Sequence, residues 1–334
     1  MGASCSSSPV NTACECEMSK AHAVRPRLRV GCSVGVTSAP AQFAMVHNMN
    51  LDSQSFNLHW VKCPPDADAV TAMLSAGLID VAMVHTEDVV QAIGAGSSLR
   101  IVGTFASSRR RFGLFRSSRN LTSTVAEAGT SPDNPLGVPY NCLGAQLALY
   151  ILGEQRDLGS EGGMYLRQLS SIDMADSALT SGRVQAVLWE RHAAYDAVSS
   201  GEWSEIWEAE LPWSSSLFVA GKDASYAKAQ SIQGFVAWTR LAAIDFLEVE
   251  TASSASQMLA SNFKLAGAAA IDWLGSVTWK CSCEVHKSDL LEPLRYLRLA
   301  GLMQQAHVEV DPLVNVAKRI CGVKQLDKKI PPGF

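Results

Sequence analysis

The sequence predicts an α/β fold of two lobes, on three observations. Segments of strand and helix character alternate three times over residues 28–93. After a stretch rich in Ser, Thr, Asn, Gly and Pro at 117–135, the alternation restarts and continues through residue 198. One more apolar strand follows Pro212, and the sequence is then helical in character almost to its end. Such alternation is typical of parallel sheets covered by helices.

The first lobe begins with three strand–helix pairs. The predicted strands are 28–33, 57–63 and 79–84, and the predicted helices are 39–49, 67–76 and 87–93. Thr37 or Ser38 is expected to cap the first helix, with Pro40 in its first turn. Two further strands are predicted at 99–105 and 112–115.

The second lobe repeats the pattern and is inserted into the first. Its predicted strands are 136–138, 164–169 and 184–189, and its helices are 143–155, 174–179 and 191–198. A returning strand at 216–220 precedes helical segments at 223–248, 253–263, 266–276 and 288–304. We therefore expect lobe 1 at 28–118 and 214–326, lobe 2 at 119–213, and loose tails at 1–27 and 327–334. Two chain crossings predict a hinge, and a cleft between lobes is a common place for a small ligand.

Composition excludes several classes of protein. The chain has 334 residues, a net charge of −4, 47% hydrophobic and 18% charged residues, which is enough for about two domains of roughly 150 residues. The most apolar run, 265–279, contains Asp272 and is shorter than a membrane span. Without a stripe of Lys and Arg, nucleic-acid binding is not expected. The one dense basic cluster, Arg109 to Arg111, is interpreted as a solvated strand end, with an anion or acidic headgroup contact as the alternative.

The cysteines and the amino terminus favour a protein of a reducing compartment. Nine scattered cysteines imply no disulfide framework, and no secretory signal pattern is found. The start Met-Gly-Ala-Ser-Cys-Ser fits the myristoylation pattern at Gly2, with Cys5 placed for palmitoylation. Stable anchoring needs two such signals. We expect a lipid-anchored protein at the cytoplasmic face of a eukaryotic membrane, with an unmodified disordered tail as the alternative.

Two groups of residues resemble a known family. The segment AMLSAGLIDVA at 72–82, running on to Thr86 and Glu87, resembles the type II periplasmic-binding-protein fold in its nitrate, sulfonate, taurine and thiamine-precursor receptor branch. VLWE at 187–190, Gly201-Glu202 and LPW at 211–213 resemble a subgroup of stand-alone receptor-like proteins of bacteria and fungi. The resemblance spans about residues 27–250. It implies a hinge, an interlobe cleft for a small polar molecule, no cofactor and no catalysis.

The resemblance also implies where a ligand would bind. Helix N-termini pointing into the cleft hold polar groups through their unpaired N–H groups. The ligand-binding residues expected by this resemblance are Thr37, Ser38, Asp66, Asp68, Thr86, Glu87, Asn141, Gly144, Trp189 and Glu190.

One loop departs from the relatives. Their first loop in lobe 2 resembles Ser-Arg-x-Gly-Ser-Gly-Ser, whereas residues 139–145 are PYNCLGA and lack the arginine and the later serines. An anion site is therefore not expected, and the carboxylates among the expected residues favour a neutral or cationic ligand, or none. Trp189 is equally compatible with the edge of a core. Glu190 is interpreted first as a helix cap, while Thr86 and Asn141 are ordinary capping residues with or without a ligand.

Four other functions have some support in the sequence. GCSVG at 31–35 fits a hydrolase nucleophile elbow but follows the first strand, before a sheet could support it. CSCEVH at 281–286, with Cys321, could bind zinc but lacks the usual ligand spacing. The pyrimidine synthase of thiamine biosynthesis has the same fold, and His85-Thr86 aligns with its histidine, but 79–84 contains no lysine for pyridoxal phosphate. A ligand-free interaction module remains the last alternative to a non-enzymatic solute-binding sensor.

Overall fold

A computed structural model describes residues 25–32, 35–49, 55–119, 129, 131–156, 164–248, 252–265 and 267–303. The strands in these residues are β1 Arg27–Cys32, β2 Asn57–Val61, β3 Val81–His85, β4 Leu99–Ala106, β5 Arg111–Ser117, β6 Leu136–Pro139, β7 Leu166–Leu169, β8 Ala186–Glu190, β9 Trp203–Glu210, β10 Ser216–Gly221 and β11 Trp279–Ser282. The helices are α1 Ala39–Val46, α2 Ala67–Ser75, α3 Thr86–Gly94, α4 Leu143–Arg156, α5 Ile172–Thr180, α6 Arg191–Ser199, α7 Lys222–Ala227, α8 Ala229–Leu247, α9 Ala252–Phe263, α10 Gly267–Ser276 and α11 Ser288–Leu299.

Lobe 1 is built on a six-stranded sheet in the order β11-β4-β10-β3-β1-β2. Strand β1 pairs in parallel with β2 and β3, whereas β10 is antiparallel to β3 and β4. The central strand β3 is buried along almost its whole length, as expected for a strand covered on both faces. The two-lobed α/β architecture predicted from the sequence is confirmed.

Lobe 2 is built on a five-stranded sheet in the order β7-β6-β8-β5-β9. Strand β6 is parallel to β7 and β8, and β5 runs antiparallel to β8 and β9. The sequence predicts β5 at the end of lobe 1, with the boundary at residue 118. That boundary is wrong, because β5 pairs within lobe 2, and the first crossing lies at residues 107–110.

Two short segments connect the lobes and run side by side. The first crossing joins β4 to β5, and the second, at residues 211–215, joins β9 to β10. Backbone hydrogen bonds link them, from Leu211 N to Arg110 O at 3.0 Å and from Ser215 N to Ser108 O at 2.9 Å. The two crossings are therefore held side by side. Ser108, Arg109, Arg110 and Ser215 of these segments line the space between the lobes.

Two strands and one helix cap differ from the prediction. Strand β9 is absent from the prediction, because its mixture of Trp, Glu and Ser lacks a clear apolar alternation, and β11 lies between the helices predicted at 266–276 and 288–304. Ser38 stands at the start of α1 without a side-chain capping bond, and its hydroxyl donates instead to Gly35 O at 2.7 Å. Asp66 does cap α2, accepting from Asp68 N at 3.2 Å.

The cores show how the lobes are fixed to each other. One cluster packs α1, α8, α9 and α10 against lobe 1, and a smaller one packs α5 and α6 against lobe 2. The largest cluster is continuous across both lobes and includes Leu74 of α2, Leu147 of α4 and Leu294 of α11. Helix α11 thus packs beneath the crossings. Among the described helices, none combines the length and apolar character needed to cross a bilayer.

Candidate functional site

A cleft of about 420 Å³ lies between the lobes, at the carboxyl ends of β3 and β8. Its lining comes from both lobes and from both crossings: Gly35, Val36, Thr37, Pro65, His85, Ser108, Arg109, Arg110, Arg111, Pro139, Cys142, Trp189, Glu190, Arg191, His192, Ser215, Phe263, Asp272, Trp273, Ser276 and Val277. The mixture of aromatic walls and a few polar groups is typical of small-molecule sites.

Arg110, on the first crossing, occupies the base of the cleft. Its side chain is only 10% exposed. The Nη1 atom donates to Glu87 Oε1 of lobe 1, while Nε and Nη2 both donate to Glu190 Oε1 of lobe 2, the former at 2.8 Å. The guanidinium also lies 5.0 Å from the ring centre of Phe112. Arg110, Glu87 and Glu190, which we call the interlobe cluster, therefore connect the two lobes electrostatically.

The two carboxylates of this cluster differ in their surroundings. Glu87 is fully buried, and its second oxygen accepts from Trp213 Nε1 at 3.0 Å. The Glu190 side chain is 26% exposed and lines the cleft, with His192 Nε2 at 3.4 Å from Oε2. Glu87 is thus enclosed by protein, whereas Glu190 is reachable from the cleft.

Gly144, in the first turn of α4, leaves the space in which the cluster forms. A Cβ atom at this position would lie 2.6 Å from Glu87 Oε1 and even closer to Arg110 Nη1. Real Cβ contacts are essentially never that short, so any other residue would force the ends of the Arg110 and Glu87 side chains to move. The absence of a side chain at Gly144 therefore allows this ion pair to lie where it does.

Burial and the charges of the interlobe cluster change the pKa values of the titratable groups in the cleft. Burial would raise the pKa of Glu190, but the charge of Arg110 and its hydrogen bonds lower it to about 2. Burial, together with the Arg110 charge, lowers the pKa of His85 to about 4, and the same two causes lower that of His192. Burial also raises the pKa of the Cys142 thiol. At neutral pH the cleft therefore contains neutral histidines, a neutral thiol and an ionised Glu190.

The remaining arginines of the cleft wall are also paired. Arg109 lies 3.2 Å from Glu210, and the rim pair Arg111 and Glu208 joins β5 to β9. Arg191 contacts Glu205 at 2.9 Å and Glu208 at 3.5 Å. Each described arginine that lines the cleft therefore has a carboxylate partner, and Asp272 adds a further negative charge at the wall.

The second crossing is fixed by buried hydrogen bonds. Asp289 of α11 accepts from Ser214 N at 3.0 Å and from Ser214 Oγ at 2.7 Å. Thr86 Oγ1 donates to the carbonyl of Ser214. Trp213 contacts Tyr296 of α11 with ring centres 6.0 Å apart. Helices α3 and α11 therefore both contact this segment.

The structure separates the predicted site residues into three groups. Thr37, Trp189 and Glu190 line the cleft. Glu87 and Gly144 lie behind the lining and hold Arg110. The residues that are not part of the cleft wall are Ser38, Asp66, Asp68, Thr86 and Asn141.

Several interpretations of single residues change with the structure. Glu190 stands at the N-cap position of α6 but makes no capping bond, so its interpretation as a cap is wrong. Trp189 both packs in the lobe 2 core and lines the cleft. The Arg110 side chain is only 10% exposed, so the solvated strand end expected for its cluster holds for the exposed Arg109 and is wrong for Arg110. No metal-binding group of His, Cys, Asp or Glu exists among the described residues. Gly2, Cys5, Ser33 and Cys321 lie outside them.

Comparison with known proteins rests on structure alone. No family model and no curated protein matches the sequence. A Candida albicans protein described as defining a new family with the generic periplasmic-binding-protein fold superposes with a TM-score of 0.70 at 18% identity, covering 87% of this chain and 95% of that one. The chain has the type II periplasmic-binding-protein fold.

Two further solved structures share this periplasmic-binding-protein fold. The alkanesulfonate-binding protein SsuA of Xanthomonas axonopodis pv. citri, bound to MOPS, matches with a TM-score of 0.66 and 18% identity over 86% of this chain and 97% of its own. The nitrate-binding protein NrtA of Synechocystis PCC 6803 matches with a TM-score of 0.64 and 12% identity over 89% of this chain and 88% of its own. At these identities the likeness concerns the fold, so the ligand of this chain follows from its own cleft.

Proposed function

We propose that the protein is a non-enzymatic solute-binding protein that holds a small polar molecule, neutral or cationic, in the interlobe cleft. The observation that carries this proposal is the cleft itself, which has walls from both lobes and whose described arginines are all paired with carboxylates. Paired arginines offer little to an anion, and Asp272 favours a positive group. The solved structures of sulfonate- and nitrate-binding proteins with this fold support the general role.

The test is a thermal-unfolding screen against neutral and cationic metabolites. A solute at about 100 times its Kd stabilises the folded protein by roughly 2.7 kcal/mol, which gives a clear rise in Tm. For a cationic solute, Asp272→Asn weakens binding, while Asp223→Asn, on the exposed start of α7 and outside the cleft, leaves it unchanged. If no solute in a broad panel changes Tm, the ligand-free interaction module is the better hypothesis.

The proposal includes a membrane tether. Acylation of Gly2 and Cys5 would place the protein at the cytoplasmic face of a membrane, where lobe closure could serve sensing. The test is fractionation of cells that express the full chain. We expect Gly2→Ala to move the protein to the soluble fraction and Cys5→Ser to weaken membrane retention. An unchanged membrane fraction in Gly2→Ala would exclude the tether without affecting the binding proposal.

A further inference from the structure

The cleft contains an arginine suited to bind an anion, but a side chain of the same chain already occupies it. Two N–H groups on one edge of the Arg110 guanidinium, Nε and Nη2, point at Glu190 Oε1. A guanidinium edge of this kind is the preferred partner of carboxylates and other oxyanions. The Glu190 carboxylate therefore stands where the oxygen of a small anionic ligand would otherwise bind.

Glu190 makes few contacts that the fold requires. Glu87 is enclosed, and both of its oxygens accept hydrogen bonds from named donors, so it fixes the opposite side of Arg110. Glu190 by contrast lines the cleft and does not cap α6, although it stands at the N-cap position. Without Glu190, Arg110 would keep Glu87 and its contact with Phe112, and would present its Nε and Nη2 edge to the cleft.

In the described part of the lining, Glu190 is the carboxylate that contacts Arg110 directly, whereas Asp272 belongs to α10 at the cleft wall. His85 and His192 are neutral at pH 7 and carry no compensating charge. Gly144 at the start of α4 presents no side chain there. The carboxylates Glu205, Glu208 and Glu210 are engaged by the rim arginines.

We propose that Glu190 determines the specificity of the cleft: its carboxylate occupies Arg110 as a built-in competitor, excludes small oxyanions, and its removal converts the cleft into an oxyanion-binding site. This inference rests on the proposal that the cleft is the solute site, and it explains why that solute is not an anion. The ligand class admitted after removal is a carboxylate, sulfonate or nitrate ion, small enough to reach Arg110.

The test compares Glu190→Gln with Glu202→Gln by isothermal titration of the full chain with acetate, methanesulfonate and nitrate at pH 7. Both substitutions remove one negative charge from lobe 2, but Glu202 is exposed and does not line the cleft. We expect Glu190→Gln to bind at least one of these anions about tenfold or more tightly than the wild type, because a charge-assisted partner of Arg110 becomes available. Glu202→Gln should behave as the wild type.

Two further variants make the result specific to Arg110. Glu190→Ala removes the acceptor altogether and should show at least the same gain, and circular dichroism checks that each variant is folded. Adding Arg110→Lys to Glu190→Gln should abolish the gain, since an ammonium has no two-donor edge. Equal anion affinity in Glu190→Gln, Glu190→Ala and the wild type would overturn the inference, as would an equal gain in Glu202→Gln. Neither result depends on whether the wild type binds a neutral or cationic solute, so failure of the proposed function is recognised separately.

Discussion

Gly144 is the residue whose size most directly controls the packing beneath the cleft. We predict that Gly144→Ala lowers the free energy of unfolding by about 1–3 kcal/mol, because its Cβ would overlap Arg110 and Glu87 and separate a buried ion pair. At Gly153, further along the same helix, no described atom lies within 4 Å of the position that a Cβ would take, so Gly153→Ala should instead stabilise by about 0.5–1 kcal/mol. Urea denaturation measures both. If both substitutions changed the free energy of unfolding in the same direction, the overlap inferred at Gly144 would be contradicted.

Arg110 itself provides a second prediction at this scale. Arg110→Met would leave the Glu87 carboxylate buried without its cation, which costs about 3–5 kcal/mol. Arg109→Met removes an exposed partner of Glu210 and should cost less than about 1 kcal/mol. The two changes are chemically identical and lie next to each other, so chemical denaturation of both variants isolates the effect of burial. Similar losses in both would show that the interlobe cluster is not a stabilising contact.

The sequence alone does not distinguish these neighbouring arginines. Arg109, Arg110 and Arg111 form one basic run and all line the cleft, and which of them contacts Glu87 and Glu190 depends on how the first crossing turns between the sheets. Thr37 and Trp189 are predicted from family-like loops and do line the cleft. Arg110 is not predicted as a site residue, because the carboxylates that it contacts, Glu87 and Glu190, are 23 and 80 residues away in the chain. The signal for this ion pair in the sequence is the presence of one acidic residue, Glu87 or Glu190, in each of the two predicted site loops.

At the scale of elements, helix α11 and the second crossing form one unit. Asp289 accepts two hydrogen bonds from Ser214, and both groups are buried. We predict that Asp289→Ala costs about 1–3 kcal/mol, because the backbone N–H of Ser214 would remain buried without an acceptor. Hydrogen exchange of residues 211–215 should become faster in this variant. Glu292→Ala, on the more exposed side of the same helix, should leave exchange there unchanged.

Elements with a clear apolar pattern can be predicted from the sequence, and the others cannot. Helix α4 is predicted to within one residue and strand β3 to within two, because each contains a long apolar stretch. Strand β9 alternates charged residues that pair with arginines of β5 and α6, so its support is electrostatic and depends on a distant partner. Strand β11 has four residues and is added to the edge of a sheet formed much earlier in the chain.

At the scale of the whole molecule, the two lobes share one apolar core as well as the cleft between them. The largest apolar cluster passes from α2 through α11 to α4, and the interlobe cluster adds an ionic contact above it. The order of strands and helices is sufficient to predict two lobes. It cannot predict the shared core, because that depends on where α11 packs after the chain has returned to lobe 1.

The lowered pKa of His85 predicts how the free energy of unfolding depends on pH. An unfolded histidine takes up a proton near its ordinary pKa of 6.5, but in the folded protein burial and Arg110 lower the pKa of His85 to about 4. The folded state therefore loses stability as pH falls from 6.5 to 4, by on the order of 3 kcal/mol from this residue, and His192 adds to the loss in the same direction. Above pH 6.5 the contribution is complete.

Substitution separates the contribution of His85 from that of the rest of the protein. His85→Gln cannot be protonated, and its amide can still donate to Ser215 O, which lies 3.3 Å from His85 Nδ1. We predict that the free energy of unfolding of this variant, measured by urea denaturation at several pH values, declines less steeply between pH 6.5 and 4 than that of the wild type. His59→Gln, on exposed β2, should retain the wild-type slope. If the free energy of unfolding of His85→Gln fell with pH as steeply as that of the wild type, protonation of His85 would not be a cause of the loss of stability.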